Sequence, residues 1–221
     1  MLQDSDRSDE KPVRKQQQRS IVTQQKLLTA AIEAFSENGF KGTSTRDIAE
    51  RAGVHHPLIT YHFRNKDRLW RAAADRVFRD FTRSLSAALE DHRDECPKER
   101  MASLIRAYVH HAKSQPALHK VLVQEASCPS PRLDWLIRTH LKPVFEATFE
   151  MLGQLQELGV APPGNTRLLF NMIRLSSGGL LALGNELRES SGIDIDDDAT
   201  LDEIADMIVT VFLPGAVRKP A

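Results

Sequence analysis

The stretch STRDIAERAGVHHPLITYHFRNK, residues 44–66, gathers hydroxyls, imidazoles, a phenol and cations in a few turns of chain. Such groups meet phosphate oxygens and base edges: hydroxyls and imidazoles donate or accept, and a lysine offers a point charge. They do not make an enzyme, because the chain contains no G-x-S-x-G, P-loop, H-E-x-x-H or G-x-G-x-x-G pattern. The pairs His55–His56 and His110–His111 do not make a metal site either. Neighbours on a helix point about 100° apart and cannot chelate together. Cys96 and Cys128 are too few and too far apart for a disulfide framework or a metal knuckle. The expectation is a binding protein with no catalytic residue, no metal and no cofactor.

The stretch reads as one amphipathic helix broken near its middle. Ser44 offers an N-cap with Asp47 three positions on, a capping-box variant, and Ile48, Ala49 and Ala52 form the apolar stripe of a short helix over 45–52. Gly53 supplies a turn that needs positive φ. Pro57 falls in the first turn of a second helix over 56–63, where its missing N–H costs little. Val54, Ile59 and Phe63 face inward, so His56, Pro57, Leu58, Thr60, Tyr61 and His62 are left on the outside. That is a helix-turn-helix aiming a recognition helix at a major groove, with Lys66 placed to reach a phosphate.

Charge agrees. From Lys11 to Arg71 stand twelve Lys/Arg against five acids, a balance of +7 in a chain whose total is zero, so the remainder carries −7. A basic block on an acidic remainder suits a polyanion-binding module joined to one that does not touch polyanion. Hydrophobic residues at 41% and charged residues at 27% are those of an ordinary soluble protein. No apolar run spans a membrane and the polar start lacks a signal-peptide core, so the cytoplasm is the expected place and a membrane is not an expected partner.

The rest of the pattern predicts an all-α chain of about nine helices. Residues 1–19 read as a disordered basic arm whose Lys11, Arg14, Lys15 and Arg19 either reach a minor groove or only solubilise. Residues 20–66 read as the DNA-binding domain: its first helix buries Leu27, Leu28, Ala31, Ile32 and Phe35 and stops at Gly39. Residues 67–221 read as a larger helical domain. Asn65 caps a long helix over about 66–92, and further helices are expected near 97–114, 116–127, 130–158, 165–189 and 199–213.

The run LLTAAIEAFSENGFKGTSTRDIAERAGVHHPLITYHFRNKDRLW resembles the N-terminal domain of the tetracycline-repressor (TetR) family. The likeness rests on G-F-x-x-T-S-x-x-x-I-A-x-x-A-G-V and Y-H-F-x-N-K-x-x-L and covers about residues 20–70. It implies phosphate or base contacts for Thr45 and Arg46, recognition-helix contacts for Pro57, Thr60, Tyr61 and His62, and a backbone clamp for Lys66. Leu58 and Thr60 depart from the family's usual small and tyrosine residues, so base preference is this chain's own; Leu58 suits a thymine methyl.

Two further expectations concern the second domain. Bulky residues in helices 97–189 (Met101, Tyr108, Leu122, Trp135, Phe145, Phe149, Met151, Phe170, Met172) would line a pocket for a mainly apolar small-molecule effector. Polar partners for that effector would be Arg106, His111, Gln124, Asn171 or Arg174. Mid-helix Ser176, Ser177, Gly178 and Gly179, with Leu201, Ile204, Ile208 and Val211 of the last helix, would form a four-helix homodimer interface, as in the resembled family. A dimer would read a near-palindromic double-stranded DNA operator. The rival expectation keeps the helix-turn-helix but makes the protein a ligand-independent architectural dimer, packed solid where the effector would sit.

Overall fold

A computed structural model describes residues 10–215, with side chains from residue 17 onward. Among them there is no strand. The helices are α1 (Glu10–Gly42), α2 (Thr45–Arg51), α3 (Pro57–Phe63), α4 (Lys66–Asp91), α5 (Pro97–Ser114), α6 (Ala117–Ala126), α7 (Pro131–Leu136), α8 (Lys142–Glu157), α9 (Thr166–Arg174), α10 (Gly184–Ser191) and α11 (Asp198–Phe212). One irregular turn joins α7 to α8, and two in succession join α9 to α10, so the described chain has nine helical rods. It divides into two compact units after Ala74, within α4. No helix among the described residues is long and apolar enough to cross a membrane.

The first unit is built by caps. Ser44 accepts the Asp47 N–H at 3.1 Å, and the Asp47 carboxylate accepts the Ser44 N–H at 3.3 Å, closing a capping box at the start of α2. α1 bends at Gly39 (φ 67°, ψ 177°), and the buried Thr43 hydroxyl donates back to the Ala34 and Gly39 carbonyls at 2.9 and 2.8 Å. Leu27, Ala31, Phe35, Ile48, Ala49, Ile59, Phe63, Leu69 and Trp70 form the core, and each large side chain there contributes on the order of 1.5–3 kcal/mol. The arm expected over residues 1–19 needs correcting. Residues 1–9 lie outside the described residues, but the backbone is helical from Glu10. Once the packed part of α1 has nucleated the helix, adding Gln, Lys and Arg residues at its end costs little.

In the second unit α11 lies on α5, and Leu201, Ala205 and Ile208 of α11 and Met101 and Ile105 of α5 are all buried. Glu125, buried on α6, accepts from Arg132 and Ser130 at 3.0 Å each and pins the turn into α7. The helices expected over 130–158 and 165–189 are present, but neither is regular. A π-type turn at Ile137–Leu141 precedes Pro143, where Lys142 N–H reaches the Ile137 carbonyl. Proline lacks the N–H that a regular turn would use, and its ring crowds the preceding turn, so one extra residue is accommodated there. A second π-type turn spans Leu175–Gly179 and passes into a 3₁₀ turn at Leu180–Leu183. Two adjacent glycines in that segment weaken its preference for a regular helix.

Candidate functional site

α2 and α3 meet through short backbone bonds: Gly53 N–H to the Glu50 carbonyl and Val54 N–H to the Ala49 carbonyl, both 3.0 Å. Gly53 holds φ 62°, the turn conformation its type favours. Ile59 and Phe63, one turn apart on α3, are buried, which leaves the opposite side of α3 to solvent. Pro57, Thr60 and Tyr61 are exposed there, Tyr61 by 75%, with Leu58 and His62 half-buried at the edge. The Tyr61 and His62 rings meet edge to face at 4.9 Å. Burial holds His62 below its ordinary value, so it presents a neutral imidazole. Thr45 and His56 hydrogen-bond each other at 2.9 Å, joining the start of α2 to the N-cap of α3, and Arg46 is exposed beside them.

The α3–α4 junction was not legible in the sequence. Arg64 takes φ 68° and ψ −48°, and Asn65 N–H reaches back to the Phe63 carbonyl at 2.8 Å. That is a γ-turn of the strained kind, costing about 1–3 kcal/mol. Asn65 then accepts the Arg68 N–H at 2.9 Å and starts α4 at once. Lys66 lies with Nζ 4.5 Å from the Phe40 ring centre, its stem packed on the core while it remains near the surface.

The second unit holds a partly open apolar cavity of about 60 Å³. Met101, Tyr108, Leu122, Phe145, Phe170 and Arg174, expected at an effector site, are brought together on its wall. Phe149 stacks behind, on Phe145 and Phe170, without reaching it. The other expected positions are corrected by geometry. Arg106 turns outward to pair with Asp206 at 2.8 Å on α11. His111, Gln124, Trp135, Met151, Asn171 and Met172 are not on the wall, and Trp135 instead meets His140 edge to face. Phe78, Phe81 and Leu85 of α4 line it as well.

Polar groups collect at one end of this cavity. The hydroxyls of Thr148 and Ser177 are spent on their own helix, bonding the Val144 and Ile173 carbonyls at 2.9 and 2.8 Å. Tyr108 and Arg174 remain. Desolvation pushes the Tyr108 phenol up to about 12, although the Arg174 guanidinium within hydrogen-bonding reach pulls the other way. Behind Tyr108 lies His119, its ring 5.3 Å away, with both nitrogens buried and unpartnered. Burial, then the Arg174 charge and then His111 hold it neutral down to about 4. His111 adds a third unpartnered buried imidazole nitrogen, its Nε2, and its ring sits 5.3 Å from Phe81. Each unmet buried polar group costs about 1–3 kcal/mol. His110, paired with Asp202 at 2.8 Å, points elsewhere, and no metal-binding cluster occurs among the described residues.

The positions expected at the dimer interface are largely inside the subunit. Ser177, Gly178, Leu201 and Ile208 are buried, and Ile204 is half-buried. Gly178 is small because His119 of the same chain lies against it: a Cβ there would stand 1.8 Å from Nε2. Val211 alone of that set is exposed. It belongs to a different apolar face, with Leu168, Met172 and Leu175 of the α9 rod and Met207 of α11. Leu168, Met172 and Val211 border one shallow hollow of about 300 Å³.

A helix-turn-helix with an exposed recognition surface, followed by a larger all-helical unit, is the architecture of a DNA-binding regulator. Residues 27–73 match the family described as bacterial regulatory proteins, tetR family. These residues carry the DNA-binding domain of the TetR family of transcriptional regulators, a family that is not enzymatic. It is 22% identical to the HTH-type transcriptional regulator RutR of Escherichia coli (strain K12) over 189 residues, covering 86% of this chain and 88% of that one. The probable HTH-type regulator YttP of Bacillus subtilis (strain 168) is 23% identical over 133 residues, 59% of this chain and 64% of the relative. The crystal structure of PfmR, a TetR family regulator from Thermus thermophilus, shares the fold with TM-score 0.64 and 18% identity, covering 87% of this chain and 96% of that one. An HlyIIR mutant with a thrombin-site linker does so with TM-score 0.68 and 19% identity, over 88% and 98%.

Proposed function

We propose that this regulator is a repressor that binds a near-palindromic operator as a homodimer and lets go when a small, mainly apolar organic molecule enters the second unit. The exposed side of α3 carries the proposal: Pro57, Thr60 and Tyr61 stand out while Ile59 and Phe63 hold the helix from behind. Leu58 and Thr60 set base preference, His62 offers a neutral donor or acceptor, and Thr45, Arg46, His56 and Lys66 hold phosphates and register. The apolar cavity supports the ligand-responsive reading over the architectural one. α4 contributes Lys66 to the DNA-binding unit and Phe78, Phe81 and Leu85 to the cavity wall, so a ligand that moves α4 acts on both. The exposed stripe Leu168, Met172, Leu175, Met207 and Val211 supports a symmetric pairing of the α9 and α11 surfaces. Two recognition helices then address half-sites about 34–36 Å apart.

Selecting genomic fragments on the purified protein defines the operator, and fluorescence anisotropy at matched salt measures it. Tyr61→Ala weakens binding without changing the melting temperature. Lys66→Ala weakens all sequences alike and lowers the salt slope by about one phosphate contact. Unchanged affinity in the double variant sinks the assignment of this face. A ligand shifts the bound state only through differential affinity of a few kcal/mol, so hydrophobic compounds that stabilise the protein are then scored for operator release.

A further inference from the structure

Arg174 is a half-buried cation on the wall of an apolar cavity, and among the described residues no carboxylate pairs with it. Its Nε and Nη2 lean on the neutral Asn171 amide oxygen at 3.4 and 3.2 Å, and its face lies 5.7 Å from the Phe145 ring centre. A guanidinium removed from water without a counter-charge is unfavourable unless something anionic completes it. Around it the same end of the cavity holds the Tyr108 hydroxyl, and behind that stand His119 and His111, more than nine-tenths buried, with unpartnered nitrogens. Of these four side chains, Arg174 and Tyr108 line the cavity itself.

We infer that the effector is a small carboxylic acid, its carboxylate held by Arg174 and Tyr108 and its short hydrocarbon or aromatic body lying among Met101, Phe145 and Phe170. This deepens the ligand-responsive reading and rests on it. One guanidinium fork matches the two oxygens of a carboxylate, and the phenol adds one donor. A phosphate dianion would ask for more charge than the single arginine on this wall supplies. The rest of the wall is hydrocarbon and aromatic, which rejects a sugar or a second charged group. At about 60 Å³ the chamber is small beside ordinary ligand sites of roughly 300–1,000 Å³, so the body is short or the walls part to admit it.

The test titrates butyrate, hexanoate and octanoate against the alcohols and methyl esters of the same length, by calorimetry and by operator release, using the full chain. The best acid binds at least tenfold tighter than its alcohol, the range expected of charge-assisted hydrogen bonds. Arg174→Gln removes that preference while leaving the alcohol's affinity in place. Should Arg174→Gln misfold, Tyr108→Phe keeps the ring and lowers acid binding severalfold, with the alcohol unaffected. Acid and alcohol that bind equally and both release operator overturn the carboxylate anchor but leave a ligand-responsive regulator. An acid preference lost in Arg174→Gln without any operator release supports the anchor and overturns the response. No binding by any member of the series overturns both.

Discussion

Gly178→Ala puts one methyl group where the structure has an imidazole. The added Cβ would stand 1.8 Å from His119 Nε2 and 2.5 Å from both Cδ2 and Cε1, against ordinary contacts of 3.4–4 Å. The ring must therefore move by more than an ångström. It is only 6% exposed and sits against Tyr108 at 5.3 Å, so it has no room to swing without disturbing the cavity wall. Overpacking of this kind costs about 1–3 kcal/mol. The same substitution recovers about 1 kcal/mol of helix propensity. The overlap outweighs the gain, and the net loss is up to about 2 kcal/mol, or a melting temperature lower by up to about 8 °C for a chain of this size. Gly179→Ala is the control: its nearest neighbour is Leu175 Cδ2 at 3.7 Å, so there the propensity gain stands unopposed and stability rises by up to about 1 kcal/mol. Chemical denaturation of both variants, alone and combined with His119→Ala, reads the coupling directly. The penalty of Gly178→Ala disappears in the His119→Ala background. If Gly178→Ala is as stable as the parent, or its penalty persists without the imidazole, the clash is not the reason for glycine. If it instead dissociates the dimer at unchanged subunit stability, Gly178 faces a partner helix after all.

Four other perturbations discriminate as sharply. Met172→Asp with Val211→Asp charges two exposed apolar positions, so the subunit folds but sediments as a monomer; a persistent dimer moves the interface elsewhere. Ile208→Asp, buried within the subunit, unfolds the protein instead. Stability falls with acid: His119 is held near 4 in the folded chain against 6.5 unfolded, so the unfolded chain takes up the proton first as pH drops through 6.5. Between pH 7 and 5 that linkage removes about 2 kcal/mol, with His111 acting in the same direction against the opposing charge of Asp80, and His119→Asn flattens the slope; an unchanged slope refutes it. Arg64→Gly relaxes the γ-turn and raises stability by about 1 kcal/mol, while removing one cation beside α3 weakens operator binding and its salt dependence; no gain in the midpoint means the turn is not strained.

The local elements were determined by residues within a few positions of one another. Ser44 and Asp47 close their capping box, Gly53 turns with positive φ, Asn65 caps α4, and Ile59 with Phe63 choose the inner side of α3 by spacing alone. Apolar periodicity likewise located every later helix, because burying one stripe is a property of the segment. It did not reveal which neighbour covers that stripe. Leu201 and Ile208 have the spacing of an interface and the same spacing as a core, and only α5 packed against them decides for the core. Mid-helix glycine states that something comes close, not what; His119, far away in sequence, supplies the answer. Arg64 carries no mark of its γ-turn, since the strain is imposed by two helices with a fixed two-residue gap between them. The polar end of the cavity is the furthest from sequence of all. Arg174, Tyr108, His119 and His111 come from three helices, and the altered proton affinities of Tyr108, His119 and His111 arise mainly from exclusion of water, which belongs to the assembled unit and to none of its segments.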